Sequence, residues 1–416
     1  MSERELRVFI DAAAGDAPVG RLWTRTRNGR DSASFEYDAE WLANPAGFAL
    51  DPELPLERGA FNTSRPLFNA FTDTSPDRWG QTLLRRAERR RARAEHRTPR
   101  TLGTSDFLTL VTDETRAGAL RFRAPGSDEP LTMSATPVPP LVKLSQLLSA
   151  SDHVVADDES DDDLRLLLAP GTSLGGARPK ASVRDKDGTL AIAKFPKADD
   201  DWPVTRWEAT TLALARAAKI DVPAARLVSA AKRPVLLVAR FDRAGARRIA
   251  CQSALTAVAG TDGEAAERSY LDIADALATT GADPARDLAQ LYRRVVFNVL
   301  VSNTDDHLRN HGFVRAAGGW RLSPAYDLNP MPVDVKARAH ALALDATTHD
   351  ASLEVVRATA RRYRLAAKDE RAIVREVAKA VSRWRAVAGE HGLGAGHCDR
   401  MESAFEHPDL HAAKAV

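Results

Sequence analysis

The chain of 416 residues has only two cysteines, Cys251 and Cys398, far apart and in no CxxC pair. A disulfide scaffold and a cysteine-ligated zinc site are therefore excluded as organising principles. An excess of either charge is also missing. With 59 basic and 57 acidic side chains the formal charge is +2, which rules out a histone-like coat for polyanions but leaves room for local basic patches. No apolar run approaches membrane-spanning length, and the opening Met-Ser-Glu-Arg-Glu-Leu-Arg is too charged for a signal peptide. A soluble cytoplasmic protein is expected. Lysine is scarce beside arginine, and none precedes Lys143. A lysine inside an apolar stretch thus calls for an explanation other than abundance. What is present is ordinary: 44% hydrophobic and 28% charged residues, the composition of a globular protein with real cores.

Four segments follow from texture: 1–125, 126–170, 171–252 and 253–416. In the first, Arg7–Ile10 and Ala33–Tyr37 alternate like half-buried strands around a Gly/Asp turn region. Asp77–Arg97 reads as an arginine-rich helix, and Ala119–Phe122 as a closing strand. A Pro/Ser/Thr-rich connector, Ser127–Pro140, leads to a short helix around Leu141–Leu148. The acidic run Asp157–Asp163 reads as a solvated loop or helix face. Further on come a strand Thr189–Phe195, a helix Thr205–Ala218 and a strand Pro234–Phe241. Beyond Ser253 nearly everything reads as helix, including the apolar stripe of Leu291–Val301. A small strand-rich lobe followed by a larger helical lobe is predicted, an α+β fold of the protein-kinase kind.

The most informative segment is Ser302-Asn303-Thr304-Asp305-Asp306-His307-Leu308-Arg309-Asn310-His311-Gly312, directly after that apolar helix. Asp305 and Asn310 are separated by four residues, the spacing of a kinase catalytic loop. There the Asp accepts the substrate hydroxyl proton and the Asn holds magnesium. A second carboxylate, Asp327, lies in Ala325-Tyr326-Asp327-Leu328-Asn329-Pro330, where a kinase places the Asp that bridges magnesium to phosphates. The plainer alternative is an Asx turn ahead of Pro330. His307 and His311 are four apart, but no third ligand completes a transition-metal pattern. His307 is expected to orient the loop or lie beside the phosphates.

Upstream, Ser173-Leu174-Gly175-Gly176-Ala177-Arg178-Pro179-Lys180 is neither a Walker loop nor GxGxxG. Its glycines let backbone approach phosphate, with Arg178 and Lys180 supplying charge. Lys194 occupies an otherwise apolar strand, and Glu208 in the following helix is its expected carboxylate partner. Backbone groups of Val238, Ala239, Arg240 and Phe241 are expected to meet an adenine edge. A glycine turn, strand lysine, helix glutamate, hinge strand, apolar helix, Asp-x4-Asn and final Asp occur in that order. The leading reading is phosphoryl transfer from ATP, through positioning and charge neutralisation.

On SLGGARPKA (173–181), AIAKFP (191–196), RFDR (240–243), NTDDHLRN (303–310) and AYDLNP (325–330), the chain resembles the HipA-like serine/threonine kinases of bacterial toxin–antitoxin systems. Val19-Gly20 and Ser75-Pro76-Asp77-Arg78 resemble the family's N-terminal subdomain. The resemblance implies Asp305 as catalytic base and Asn310 with Asp327 as Mg²⁺ ligands. The implied ATP-binding set is Gly175, Gly176, Ala177, Arg178, Pro179, Lys180 and Lys194, with the hinge residues. It continues through His307, Leu308, Arg309 and Asn310 to Tyr326 and Asp327. It further implies autophosphorylation on Ser173, an aminoacyl-tRNA synthetase as target, drug-tolerant dormancy as outcome, and a small helix-turn-helix antitoxin as partner, the pair binding operator DNA. Arg309 replaces a frequent lysine, and Ala239 a frequent acidic residue.

Two other classes stay open on sequence. One is a non-catalytic module binding antitoxin and DNA, favoured by the basic run Arg85–Arg93, which also reads as a solvated helix face. The other is a small-molecule phosphotransferase, which shares the Asp-x4-Asn logic.

Overall fold

The computed structural model describes residues 2–12, 15–27, 29–132, 138–168, 176–263 and 267–416. These divide into two compact units: residues 1–198 with 230–232 and 242–252, and residues 199–229 with 233–241 and 253–416.

The first unit opens with an antiparallel five-stranded sheet. Its strands are β1 (Ser2–Ala12), β2 (Gly15–Arg27), β3 (Arg30–Tyr37), β4 (Ala60–Asn62) and β5 (Leu120–Arg123), in the order β4-β3-β2-β1-β5. The supposed turn region between the first two predicted strands is itself a full strand, β2, which pairs with both neighbours. Its apolar positions are sparse, so alternation was hard to see. Val19 and Leu22 are its fully buried apolar anchors, and Gly20 is required because a Cβ there would sit 2.2 Å from the Glu36 carbonyl oxygen. One face of the sheet buries Leu6, Val8, Leu22, Phe35, Phe71 and Phe122.

Helix α1 (Arg78–Ala94) follows, N-capped by Asp77, whose Oδ1 accepts from the Gly80 N–H at 2.8 Å. Then come α2 (Leu144–Val155) and α3 (Asp161–Leu168). The acidic run is not wholly solvated. Glu159 is buried and takes Arg86 of α1 at 2.6 Å, while Asp161 takes Arg90 at 3.3 Å. Asp161, Asp162 and Asp163 fill the first turn of α3, where carboxylates favour the helix dipole. Strands β6 (Lys180–Arg184) and β7 (Leu190–Lys194) form an antiparallel pair that sets Lys180 opposite Lys194. Lys180, predicted in the loop, is the first residue of a strand.

In the second unit, α4 (Val204–Ala217) precedes the neighbouring strands β8 (Ala225–Ala230) and β9 (Arg233–Ala239). Helices α5 (Tyr270–Thr280) and α6 (Pro284–Leu300) pack together; α6 starts on an Asp283 cap with Pro284 in its first turn. The expectation of near-continuous helix beyond Ser253 fails between 312 and 352. A hairpin, β10 (Gly312–Ala316) with β11 (Gly319–Leu322), is followed by thirty residues without helix or strand. Helices then run to the C terminus, where Trp384 stacks on Phe405 at 4.6 Å and both meet Trp207 of α4. Both cysteines are free thiols. No helix among the described residues is long and apolar enough to cross a membrane.

Candidate active site

The second unit carries the loop that follows α6. Leaving the helix, the chain turns sharply at Ser302, which has a left-handed φ of 52°. Its buried hydroxyl donates to the Ala404 carbonyl at 2.8 Å and accepts from Arg338 Nε at 3.0 Å. The C-terminal helices, to which sequence assigned no chemistry, thereby fix the start of the loop.

Two adjacent aspartates then take opposite environments. Asp305 is exposed, whereas Asp306 is 2% exposed. Asp306 Oδ2 accepts from the Tyr270 hydroxyl at 2.7 Å and the Asn298 amide at 2.6 Å, and meets His311 Nε2 at 2.8 Å. Burial works to raise the Asp306 carboxyl, but the imidazole of His311 and these hydrogen bonds outweigh it and hold it below the usual carboxylate range. Burial beside that charge pushes the Tyr270 phenol far up, so it remains a donor. The network continues outward. Asn303 Nδ2 donates to Asn298 Oδ1 at 3.1 Å, Asn303 Oδ1 accepts the Asn329 N–H at 3.2 Å, and Asn329 Nδ2 donates to Asp327 Oδ1 at 3.2 Å. One connected set of amides and carboxylates thus joins α5, α6, the loop and the Asp327 turn.

The remaining loop residues are held as firmly. Asn310 is buried, and its Nδ2 donates to the Asp305 carbonyl at 3.1 Å. That bond folds the loop on itself and leaves the amide oxygen as the free end of the side chain. Arg309 forms a two-pronged pair with Asp262, both contacts at 2.8 Å, which suits the planar guanidinium better than a lysine. Its carbonyl accepts from the Tyr326 hydroxyl at 2.8 Å. Tyr326 stacks on Phe241, the last predicted hinge residue, at 5.5 Å. Asp327 has a left-handed φ of 58°, a conformation Asp tolerates better than most side chains.

Of the hinge residues, Val238 and Arg240 are buried, and the Ala239 N–H already donates to the Ala224 carbonyl at 2.8 Å. That donor is not open to an adenine edge. His307 occupies the cap of the short 3-10 turn Leu308–Asn310. Among the described residues no three His, Cys, Asp or Glu side chains gather as a metal cluster. Asn310 and Asp327 do offer hard oxygen donors, a pairing that suits Mg²⁺ with substrate phosphates and water rather than a softer metal. Glu208 lies buried on α4.

The first unit carries the other predicted residues. Ser173 and Gly175 lie outside the described residues. Gly176 has φ +92°, a conformation that favours glycine. Lys180 Nζ meets Asp77 Oδ2 at 2.8 Å, with both side chains 3% exposed. Asp77 therefore caps α1 with one oxygen and holds Lys180 with the other. Arg178 and Lys194 are half-buried, and Ala177 is exposed beside buried Pro179.

Sequence reading passed over Tyr270, Asn298, Asn303 and Asp306, and weighed His311 only as a metal ligand. One signal was available: Asn298 interrupts the apolar stripe of α6, and a buried amide needs partners.

Residues 10–123 match the model of the HipA N-terminal domain, and residues 172–384 that of the HipA-like C-terminal domain. A putative kinase, Y4mE of Sinorhizobium fredii (strain NBRC 101917 / NGR234), is 28% identical over 361 residues, covering 79% of this chain and 77% of that protein. Among solved structures, HipA of Shewanella oneidensis MR-1, in a complex with HipB and its operator DNA, superposes with a TM-score of 0.67 at 18% identity. That match covers 98% of this chain and 96% of the other. With both of its domain models matched, one of them over half the sequence, this chain belongs to the HipA family.

Proposed function

We propose that the protein is a Mg²⁺- and ATP-dependent serine/threonine protein kinase acting as the toxin of a toxin–antitoxin pair. The observation that carries this reading is the division of labour between Asp305 and Asp306. A buried network built on Asp306 leaves Asp305 exposed, with Asn310 bonded to the Asp305 carbonyl and Asp327 joined to the network through Asn329 and Asn303. In this reading Asp305 accepts the proton of the attacking hydroxyl as its oxygen bonds to the γ-phosphorus and the bond to ADP breaks. Asn310 and Asp327 would hold Mg²⁺, which neutralises phosphate charge when bound. Lys194, with Glu208 as its partner, and the loop through Gly175, Gly176 and Arg178 would bind phosphates. Lys180 would add charge while anchored by Asp77.

The substrate is proposed to be a translation protein, an aminoacyl-tRNA synthetase, and Ser173 the site of self-modification. The HipB and operator DNA that accompany the Shewanella relative support a helix-turn-helix antitoxin as partner. The test is intact mass after incubation with Mg²⁺ and ATP. A gain of one phosphoryl group mapped to Ser173, absent in Asp305→Asn, is expected. A protein that starts unmodified and stays so would move a binding module or a small-molecule phosphotransferase ahead.

A further inference from the structure

The arginine run of α1 has a use outside this chemistry. Helical spacing sets Thr82, Arg85, Arg86 and Arg89 at i, i+3, i+4 and i+7, on one face. Along that face the first unit opens a cavity of about 380 Å³, walled on its other side by Arg100, Thr101 and Leu102. Among the described residues, four guanidinium groups and two threonines line it, and no carboxylate does.

The four arginines are not equivalent. Arg86 is fixed in place by Asp157 at 2.5 Å and Glu159 at 2.6 Å. The backbone N–H of Arg100 donates to Glu88 at 2.8 Å, with its guanidinium 3.8 Å from the same oxygen. Arg85 lies over the Phe107 ring at 4.9 Å and donates to the Gln81 amide oxygen at 3.2 Å, neither of which neutralises it. Arg89 is exposed and, among the described residues, meets no carboxylate. Beneath them Leu84, Leu102 and Phe107 form a small apolar cluster that holds the two walls together. The cavity therefore keeps a positive surplus at Arg85 and Arg89, the first of them held over Phe107 before any ligand arrives. Guanidinium forks are matched to phosphate oxygens.

We infer that this cavity is a binding site for a small di- or polyphosphate anion, separate from the proposed nucleotide site. A duplex backbone fits less well. The acidic run neutralises Arg86 and Arg90 of the same helix, so the run is not a continuous basic stripe, and what remains unpaired converges on a concavity of a few phosphate volumes.

The probe is inorganic pyrophosphate, titrated calorimetrically into the full chain at low salt without magnesium. Arg85→Ala/Arg89→Ala is expected to weaken binding by roughly tenfold or more, with its thermal midpoint unchanged because both side chains are exposed. Arg85→Lys/Arg89→Lys is expected to fall between, keeping charge but not the fork. Asp327→Asn and Lys194→Ala are expected to leave pyrophosphate binding at this site intact, which separates its failure from failure of the kinase reading. Three results would overturn the inference: no binding by the unaltered protein at millimolar pyrophosphate, equal affinity in the double alanine variant, or loss only in Lys194→Ala. Duplex DNA held by the same arginines and not displaced by pyrophosphate would overturn it in favour of a nucleic-acid surface.

Discussion

Two charged regions of this molecule are built on opposite plans. Around Asp306 the charges are buried, and each hydrogen bond lies within a network closed to water. Between α1 and α3 the charges are mostly exposed and pair along the surface, as Arg90 does with Asp161. Charge in a low-dielectric interior is costly to strip of its partner, so the first plan fixes geometry. Charge at the surface is screened and exchangeable, so the second plan leaves groups available to a ligand. A reacting carboxylate needs the first kind of support, and a site that captures an anion can use the second.

Asp306→Ala should break the comparison most severely. It leaves Tyr270, Asn298 and His311 buried around a void, and a stability loss of about 3–5 kcal/mol is expected by analogy with other buried pairs. Loss of turnover should accompany it. Urea unfolding together with a turnover assay checks both. A small stability change would mean the network is softer than its distances indicate.

His340 sharpens the same side of the comparison through pH. It is 3% exposed, neither ring nitrogen has a partner among the described residues, and burial pushes its imidazole down to about 4. Asp306, Asp409, Lys336 and Arg338 are the charged groups that act on it. Between about pH 6.5 and 4 the unfolded chain binds a proton that the folded protein refuses. The stability associated with neutral His340 is complete above that window and falls as pH drops through it, by about 3 kcal/mol at the acid end. His340→Leu should flatten this acid limb when unfolding is compared at pH 7.5 and 5. An unchanged slope would exclude His340 as its source.

On the exposed side, Arg90→Ala should cost no more than about 1 kcal/mol, and the cost should shrink in high salt. Thermal midpoints at two ionic strengths measure it. A larger, salt-insensitive loss would place Arg90 with the buried charges around Asp306.

Much of this was legible in residue order. Asp305, Asn310 and Asp327 stand out as candidates because spacing in a short loop is nearly a statement of geometry, and α1, α4 and α6 follow from apolar periodicity. The support was not legible. Asp306 is chemically identical to Asp305, and only the fold decides that one side chain turns inward to Tyr270 and Asn298, which lie on other elements. Strand β2 was lost because Gly20 and few apolar residues hide its alternation. The acidic run read as solvated because its arginine partners lie some seventy residues earlier, and pairing at that distance leaves no local pattern.

The central claim, that Asp305 reacts while Asp306 positions it, is tested most directly by Asp305→Asn measured for turnover, ATP binding and thermal midpoint together. The account predicts turnover reduced by about two to four orders of magnitude, with ATP binding retained and the midpoint unchanged, because an exposed side chain supports nothing else. Normal turnover in that variant would contradict it.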